Sequence, residues 1–342
     1  MNSHNKKIGI IGTGSFGTAV ANLIAENAEV LLYGRNKTIV DKINTSHFHK
    51  DVTIHSNVSA INDLKQLTEE CDLIFPIVPS GNFRSLMKDL APFLKPYHLL
   101  IHGTKGLDCR EIKDSLGTRT EVFTMSEVIQ QESSVVRIGC LSGPNISREI
   151  LEGQPAATVI ASQYKEVIDA GKKVLRSKRF QVSSTFDIRG AELAGALKNI
   201  FAISAGILNG LNLGYNLFGL LITRGLTEMI HFGKALGADL KPFLGVAGIG
   251  DLVTTASSSK SRNYTVGKYI AEGKSMDEIL ALMDEVAEGV NTIHWAKKLA
   301  DIHQLAVPVT RMMHRVLYEN FEPKTAIEYL VRINYDDDVD YL

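Results

Sequence analysis

Three cysteines in 342 residues, Cys71, Cys109 and Cys140, are too few and too widely spaced for a disulfide framework or a zinc site. They point to a reducing compartment, so a cytoplasmic protein is expected. The chain also lacks an excess of charge of either sign. Lys and Arg number 37 against 38 Asp and Glu, for a net charge of -1. Binding along a phosphate backbone needs a basic excess, which excludes nucleic acid as a bulk partner. A small phosphorylated ligand needs only a few local cations and stays open. His47, His49 and His55 lie close together, but no neighbouring cysteine or second spaced pair completes a ligand set, so no metal is expected.

A membrane segment is lacking too, although two stretches imitate one. Lys6 and Lys7 precede an uncharged run over 8–25, the layout of a signal peptide. That run holds Gly12, Gly14 and Gly17 with Thr13, Ser15 and Thr18 between them, polar where a signal core is apolar. Residues 199–223 carry no charge and are long enough to span a bilayer. They also hold Asn199, Asn209, Asn212 and Asn216, and four amides in lipid are costly. A buried helix pair is the better reading, with no membrane insertion, and the mean hydropathy near zero agrees.

What is present is a two-part pattern. Residues 7–12 read as a strand, 15–27 as a helix and 29–33 as a second strand, a βαβ unit by spacing. Further strands are expected at 73–78, 98–102, 137–141, 158–161 and 180–183, several ending in small or turn-forming residues. In an open parallel sheet the ligand crevice lies beyond the carboxyl ends of the strands. Residues 12–17, 79–81, 103–106 and 142–145 are therefore expected to converge on one cleft. After about residue 188 the alternation stops and helix-length segments take over, at 190–210, 216–236, 239–246, 262–272, 275–284, 289–304, 308–318 and 323–331. The expected fold is an α/β Rossmann-like dinucleotide-binding domain over 1–188, followed by a mostly α-helical domain over 189–342. The boundary has no linker composition, so close packing is expected, and Asp336-Asp337-Asp338 form an acidic, solvated tail.

Gly12-Thr13-Gly14-Ser15-Phe16-Gly17 is a GxGxxG run directly after a strand and at the start of a helix, the context a dinucleotide site requires. Gly12 permits the tight turn, Gly14 the approach of a pyrophosphate, and Gly17 close helix–strand packing. The helix N-terminus adds N–H donors and partial positive charge. An NAD site places an acid at the end of the second strand. Here that strand ends Tyr33-Gly34-Arg35, with no acid. Gly34 leaves space, and Arg35 is suited to grip a 2′-phosphate. NADP is thus the preferred cofactor and NAD a second one, the alternative being a plain surface arginine.

Lys198 is the only Lys or Arg between Arg189 and Arg224. Two readings stay open. Buried, it loses solvation, its pKa falls, and it exchanges protons near neutrality. Otherwise its stem lies on the core and its head reaches water. Residues 248–255 (GIGDLVTT) and 257–263 (SSSKSRN) are a flexible Gly/Ser surround with one acid, then Ser-Arg-Asn. This reads either as an anion site or as a loop before a helix capped by Ser261.

Taken together these segments resemble the NAD(P)-dependent glycerol-3-phosphate dehydrogenases of the soluble bacterial type, over about residues 7–333. The motifs that carry the resemblance are GTGSFGTA (12–19), VPS (78–80), TKGLD (104–108), SGPN (142–145), GALKNI (195–200), LITRGLTEM (221–229), GIGDLVTT (248–255), SRN (261–263) and EGVNT (288–292). The chain departs from the family at Asn145-Ile146-Ser147, at 214–221 and at Gly81. The resemblance implies a helical domain like the C-terminal one of 6-phosphogluconate dehydrogenase. It implies reversible reduction of dihydroxyacetone phosphate to sn-glycerol 3-phosphate, for phospholipid synthesis. It makes Lys198 the general acid/base, with Lys105 and Asp251 catalytic beside it. Lys105, Gly143, Asn145, Lys198, Asn199, Asp251, Thr255, Ser261, Arg262 and Asn263 would line the substrate. Gly12, Gly14, Ser15, Phe16, Gly17, Arg35, Lys105, Ser147, Arg262, Val286 and Glu288 would meet the cofactor. A homodimer is the base-rate expectation. The alternatives are a reductase for another small keto compound and a non-catalytic NADP-binding regulator.

Overall fold

The computed structural model describes residues 6–114, 117–283 and 287–333. Val286 and the acidic tail at 336–338 lie outside the described residues. The chain divides into two compact units. One holds the residues up to Thr104 and Phe123–Ile188, and the other holds Lys105–Val122 and the residues from Arg189 onward. The segment 105–122, which the sequence pattern assigned to the first domain, thus belongs with the helical unit.

The first unit is built on an eight-stranded sheet. In spatial order its strands are Phe180–Thr185, Ala156–Ala161, Ile138–Ser142, Leu99–His102, Leu73–Pro76, Ile8–Ile11, Val30–Tyr33 and Val58–Ile61. Ile8–Ile11 lies between Val30–Tyr33 and Leu73–Pro76, parallel to both. Chain order reverses there, the switch point at which doubly wound sheets bind ligands. The strands are short apolar runs buried on both faces, as a sheet covered by helices requires. The sheet is not wholly parallel. Ala156–Ala161 runs antiparallel to Ile138–Ser142, and Phe180–Thr185 follows it in parallel. Edge strand Val58–Ile61 has alternating burial and carried no long apolar run to announce it.

Side chains fix the helix starts. Asn36 accepts from Thr38 N at 2.9 Å ahead of Lys37–Ser46. Asp63 accepts from Lys65 N at 2.8 Å ahead of Leu64–Glu70. Thr124 and Glu127 form a capping box on Met125–Glu132. His49, one of the three clustered histidines, bonds through Nε2 to the Thr13 carbonyl at 2.8 Å.

The second unit packs around helix Ile188–Gly210, whose residues from Gly190 to Leu208 are all buried. It is the one helix among the described residues long and apolar enough to cross a membrane, and its apolar stretch is wholly buried inside the protein. The following helix, Tyr215–Ala235, is not buried at its start, where Tyr215 is 91% exposed. The expected buried pair is therefore buried in its first member and only partly in its second. Helix Arg262–Ala271 crosses the central helix at backbone distance. A Cβ on Gly267 would lie 1.9 Å from the Ile203 carbonyl oxygen, and one on Gly206 2.0 Å from that of Tyr264. Only glycine lets the two backbones approach this closely. Strands Asp108–Asp114 and Gly117–Phe123 form a two-stranded sheet in this unit. Leu107 at its root is buried in the helical core, and Lys298 reaches Glu111 at 2.7 Å.

Candidate active site

In the first unit the glycine fingerprint sorts by physical role. Gly12 has φ of +126°, and a Cβ there would lie 2.1 Å from the Ile77 carbonyl oxygen. A Cβ on Gly17 would lie 2.0 Å from the Gly12 carbonyl oxygen. Both glycines are demanded by the fold. Gly14 is different: a Cβ there meets no protein atom within 4 Å. Packing does not require that glycine, and the open space above it is what the close approach of a ligand would use. Helix Ser15–Ala25 begins there with no side-chain cap from Gly14 and no acid in its first turn. These residues fit a bound pyrophosphate, with the helix dipole favouring its charge. The Gly34 expectation needs correction. A Cβ on Gly34 would lie 2.8 Å from Thr13 Cγ2, so the room belongs to Thr13 and not to a ligand. Arg35 is exposed at the strand end.

At the same end of the sheet, Gly103 packs under Phe16, whose Cε1 would lie 3.1 Å from a Cβ there. Gly143 follows Ile138–Ser142 with φ of +135°. Asn145 is held by the neighbouring strand. Its Nδ2 donates to Ala157 O at 3.0 Å, and its Oδ1 accepts from Thr158 Oγ1 at 2.9 Å. Its amide shapes the turn and is engaged at both ends. Ser147 opens the short helix Ser147–Leu151, partly buried.

In the second unit the structure brings together two lysines, one carboxylate and one hydroxyl. Lys198 lies inside Ile188–Gly210 and is 5% exposed, so its head does not reach bulk water. Its Nζ donates to Asp251 Oδ1, and to Thr255 Oγ1 at 2.6 Å. Thr255 Oγ1 in turn donates to the same Asp251 oxygen at 3.2 Å. Lys105, at the root of the two-stranded sheet, donates to Asp251 Oδ2 at 2.6 Å. One buried carboxylate, 1% exposed, therefore faces an ammonium on each oxygen. Burial pushes Lys198 down to about 7. The Asp251 carboxylate opposes this shift, and the Lys105 charge adds to it. A lysine so placed exchanges a proton near neutrality.

Asp251 reaches this position by a device the sequence did not announce. The composition of residues 248–255 predicts part of a flexible Gly/Ser surround. They form instead a wide π-type turn, Val246–Gly250, running into helix Asp251–Ser257. A Cβ on Gly248 would lie 2.1 Å from the Phe243 carbonyl oxygen, so the turn closes only on glycine. Such turns inside helices gather at functional positions. Asp251 and Thr255, four residues apart, then lie on one helix face.

Next to this cluster Asn199 and Asn263 pair. Asn263 Nδ2 donates to Asn199 Oδ1 at 2.9 Å, and Asn263 Oδ1 accepts from Gly289 N at 2.9 Å. Ser261 caps helix Arg262–Ala271, its Oγ accepting from Tyr264 N at 3.3 Å. Arg262 is exposed at the first position of that helix.

Sequence comparison places these features in one lineage. Residues 7–168 match the pattern of the N-terminus of NAD-dependent glycerol-3-phosphate dehydrogenase, and residues 187–328 match that of its C-terminus. The chain belongs to the NAD-dependent glycerol-3-phosphate dehydrogenase family. A Pseudomonas aeruginosa protein named glycerol-3-phosphate dehydrogenase [NAD(P)+] is 38% identical over 345 residues, covering 99% of this chain and 98% of the relative. One of the same name from Saccharophagus degradans is 38% identical over 97% of this chain and 91% of its own length. The crystal structure of glycerol-3-phosphate dehydrogenase from Coxiella burnetii is 31% identical, with a TM-score of 0.86, covering 96% of this chain and 99% of that one.

Of the residues that resemblance to glycerol-3-phosphate dehydrogenases singled out, Lys105, Lys198, Asp251 and Thr255 form one contact group. Asn199 and Asn263 form a second, adjoining through the backbone of the central helix. Glu288 opens helix Glu288–Ile302, half-buried. Among the described residues no group of three or more metal-ligating side chains is found. The residue missed was Gly289. Its signal lay inside the EGVNT motif, and a Cβ there would lie 2.7 Å from Asn263 Oδ1 and 2.8 Å from the Asn199 carbonyl oxygen. An apolar cavity of about 510 Å³ lies elsewhere in this unit, lined by Leu217, Leu221, Arg224, Met312 and Leu330 among others, and includes none of the lysine cluster.

Proposed function

We propose that this chain catalyses the reversible NAD(P)H-dependent reduction of dihydroxyacetone phosphate to sn-glycerol 3-phosphate, which supplies phospholipid synthesis. One observation carries the reading: Lys198 is buried with its ammonium on Asp251 and Thr255 while Lys105 occupies the second oxygen of the same carboxylate. A surface lysine would not need this arrangement, and a mere binding module would not pay the desolvation of two cations for it.

When bound, the nicotinamide supplies the hydride that goes to the carbonyl carbon of the ketone. The protein's task is the charge that develops on the oxygen. Lys198, as ammonium, donates its proton there, and Lys105 adds electrostatic stabilisation. Asp251 keeps both lysines in place and preserves enough of the charged form of Lys198 for it to act as an acid. In the oxidising direction neutral Lys198 takes the alcohol proton. Arg262, exposed at a helix N-terminus, is the group for the substrate phosphate. Phosphate binding remote from the reacting carbon orients the carbonyl.

Gly12, Gly14, Ser15, Phe16 and Gly17 hold the dinucleotide in this reading, and Arg35 grips a 2′-phosphate, giving NADP preference with NAD as the second cofactor. The protein acts as a cytoplasmic homodimer. The test follows NADPH oxidation with dihydroxyacetone phosphate, with unphosphorylated dihydroxyacetone and NADH as parallel arms. Turnover confined to the phosphorylated ketone is expected, with NADPH favoured and Arg35→Ala weakening NADPH about tenfold while sparing NADH. NADPH binding without turnover would move the chain to another keto substrate or to a regulator.

A further inference from the structure

His49 is buried, 8% exposed, and its Nε2 lies 2.8 Å from the carbonyl oxygen of Thr13, inside the glycine-rich turn. A carbonyl oxygen only accepts, so Nε2 must carry the hydrogen and donate it. The Thr13–Gly14 peptide is trans. In a trans peptide the C=O and the N–H point in opposite directions. The Thr13 carbonyl faces His49, so the Gly14 N–H points away from it. Among the described residues no acceptor meets that N–H, and the space beside Gly14 is open. The Thr13 side chain is held as well, its Cγ2 filling room that a Cβ on Gly34 would need.

The chain around His49 is built to place this ring. His49 lies in a two-stranded hairpin, Phe48–His49 against Val52–Thr53, directly opposite Val52. The loop residues Lys50 and Asp51 have φ of +53° and +59°, and His47 has +45°. Two-residue hairpins favour positive φ in the loop, but with asparagine or glycine to supply it. Other side chains are strained there, and such strain persists only where the surroundings enforce it. Here helix Ser15–Ala25, which opens from the glycine-rich turn, does so. Asn22 Nδ2 donates to Thr53 O at 2.9 Å, and Asn22 Oδ1 accepts from His55 N at 3.0 Å. Ile54 is buried in the same core as Val20 and Leu23 of that helix. The hairpin is thus fastened to the helix through Asn22 and to the turn before it through His49.

We infer that His49 is a positioning residue for the cofactor: its ring N–H holds the Thr13–Gly14 peptide in the orientation that offers the Gly14 N–H to a phosphate oxygen of the dinucleotide. This rests on the dinucleotide site proposed above. Without the donor, the Thr13 carbonyl loses its buried partner and the peptide is free to turn over. A turned peptide would present a carbonyl oxygen to the pyrophosphate, replacing a charge-assisted hydrogen bond with repulsion. His49 acts on the ligand only through the backbone of the turn.

The test is a fluorescence titration of the full-length protein with NADPH. His49→Leu removes the donor and is expected to raise the NADPH Kd about tenfold. His49→Asn, whose amide is too short to reach Thr13, serves in its place if the leucine variant does not fold. His49→Gln, whose amide N–H reaches the position of Nε2, is expected to bind within about threefold of the wild type. Two competing probes separate positioning from plain scaffolding. ADP-ribose carries the pyrophosphate and should lose affinity as NADPH does, whereas adenosine 2′-monophosphate carries none and should keep it. An equal loss for both probes would make the hairpin general scaffolding and overturn the inference. Wild-type affinity for NADPH without the donor would overturn it too, as would a folded His49→Gln that binds no better than His49→Leu. A wild type that binds NADPH confines such a failure to this inference, whereas a wild type that does not overturns the dinucleotide site and the inference together.

Discussion

At the scale of the single residue the proposed proton donor is Lys198, and its environment sets a pH signature. Burial holds its pKa at about 7, and below that value it is an ammonium. Reduction requires the ammonium, so kcat/KM for dihydroxyacetone phosphate is expected to be level below about 7 and to fall as pH rises through it. Oxidation of glycerol 3-phosphate requires the free amine and should rise through the same value. Lys198→Ala should lower kcat by about 10²- to 10⁴-fold, leave NADPH binding intact and remove this titration. Identical pH limbs in wild type and variant would assign the titration elsewhere. Lys198 was legible in the sequence because a lone charge in a long apolar segment must find a partner or reach water. The choice between those two was not legible, since Asp251 lies 53 positions away. The Asn263–Asn199 contact, 64 positions apart, left no local trace for the same reason.

The glycines decide what can be read from segments at the scale of elements. GxGxxG after a strand was readable because strand, turn and helix are contiguous in sequence. The structure divides its three glycines into two that the fold needs and one that it does not. Gly14→Ala is therefore expected to leave stability within about 0.5 kcal/mol of wild type, while weakening NADPH markedly in a fluorescence titration. Gly17→Ala should instead destabilise by about 1–3 kcal/mol or more in urea unfolding, because its Cβ meets a backbone oxygen. If Gly14→Ala melts early and binds normally, the ligand role of that turn is wrong. Other elements were misread for physical reasons. The Gly/Ser richness of 248–255 and 257–263 looks like a flexible loop, yet Gly248 closes a π-type turn that delivers Asp251. The strand pair Asp108–Asp114 and Gly117–Phe123 is rich in charge and lacks a strand-like apolar run, so nothing local marked it.

For the whole molecule, the change from alternating strands to helices near residue 188 was visible because hydrophobic periodicity changes there. The assignment of 105–122 to the helical unit was not visible, because it depends on the long-range packing of Leu107 and on the ion pair of Lys298 with Glu111. That assignment puts Lys105 in the same compact unit as Lys198 and Asp251, so the lysine–carboxylate cluster lies wholly within one unit. The balanced charge of the chain fits a ligand gripped by a few local cations better than one held by a long-range field. In the proposed function the hydride of the nicotinamide ends on C2 of the ketone and the proton comes from Lys198. The most direct test of this central claim is isotope transfer. NADPH deuterated at both C4 positions is mixed with dihydroxyacetone phosphate, and the product is examined by mass spectrometry and NMR. The expected product is sn-glycerol 3-phosphate with a single deuterium at C2, formed by the wild type and not by Lys198→Ala over the same interval. Unlabelled product, or labelled product formed by Lys198→Ala at the wild-type rate, would contradict the account.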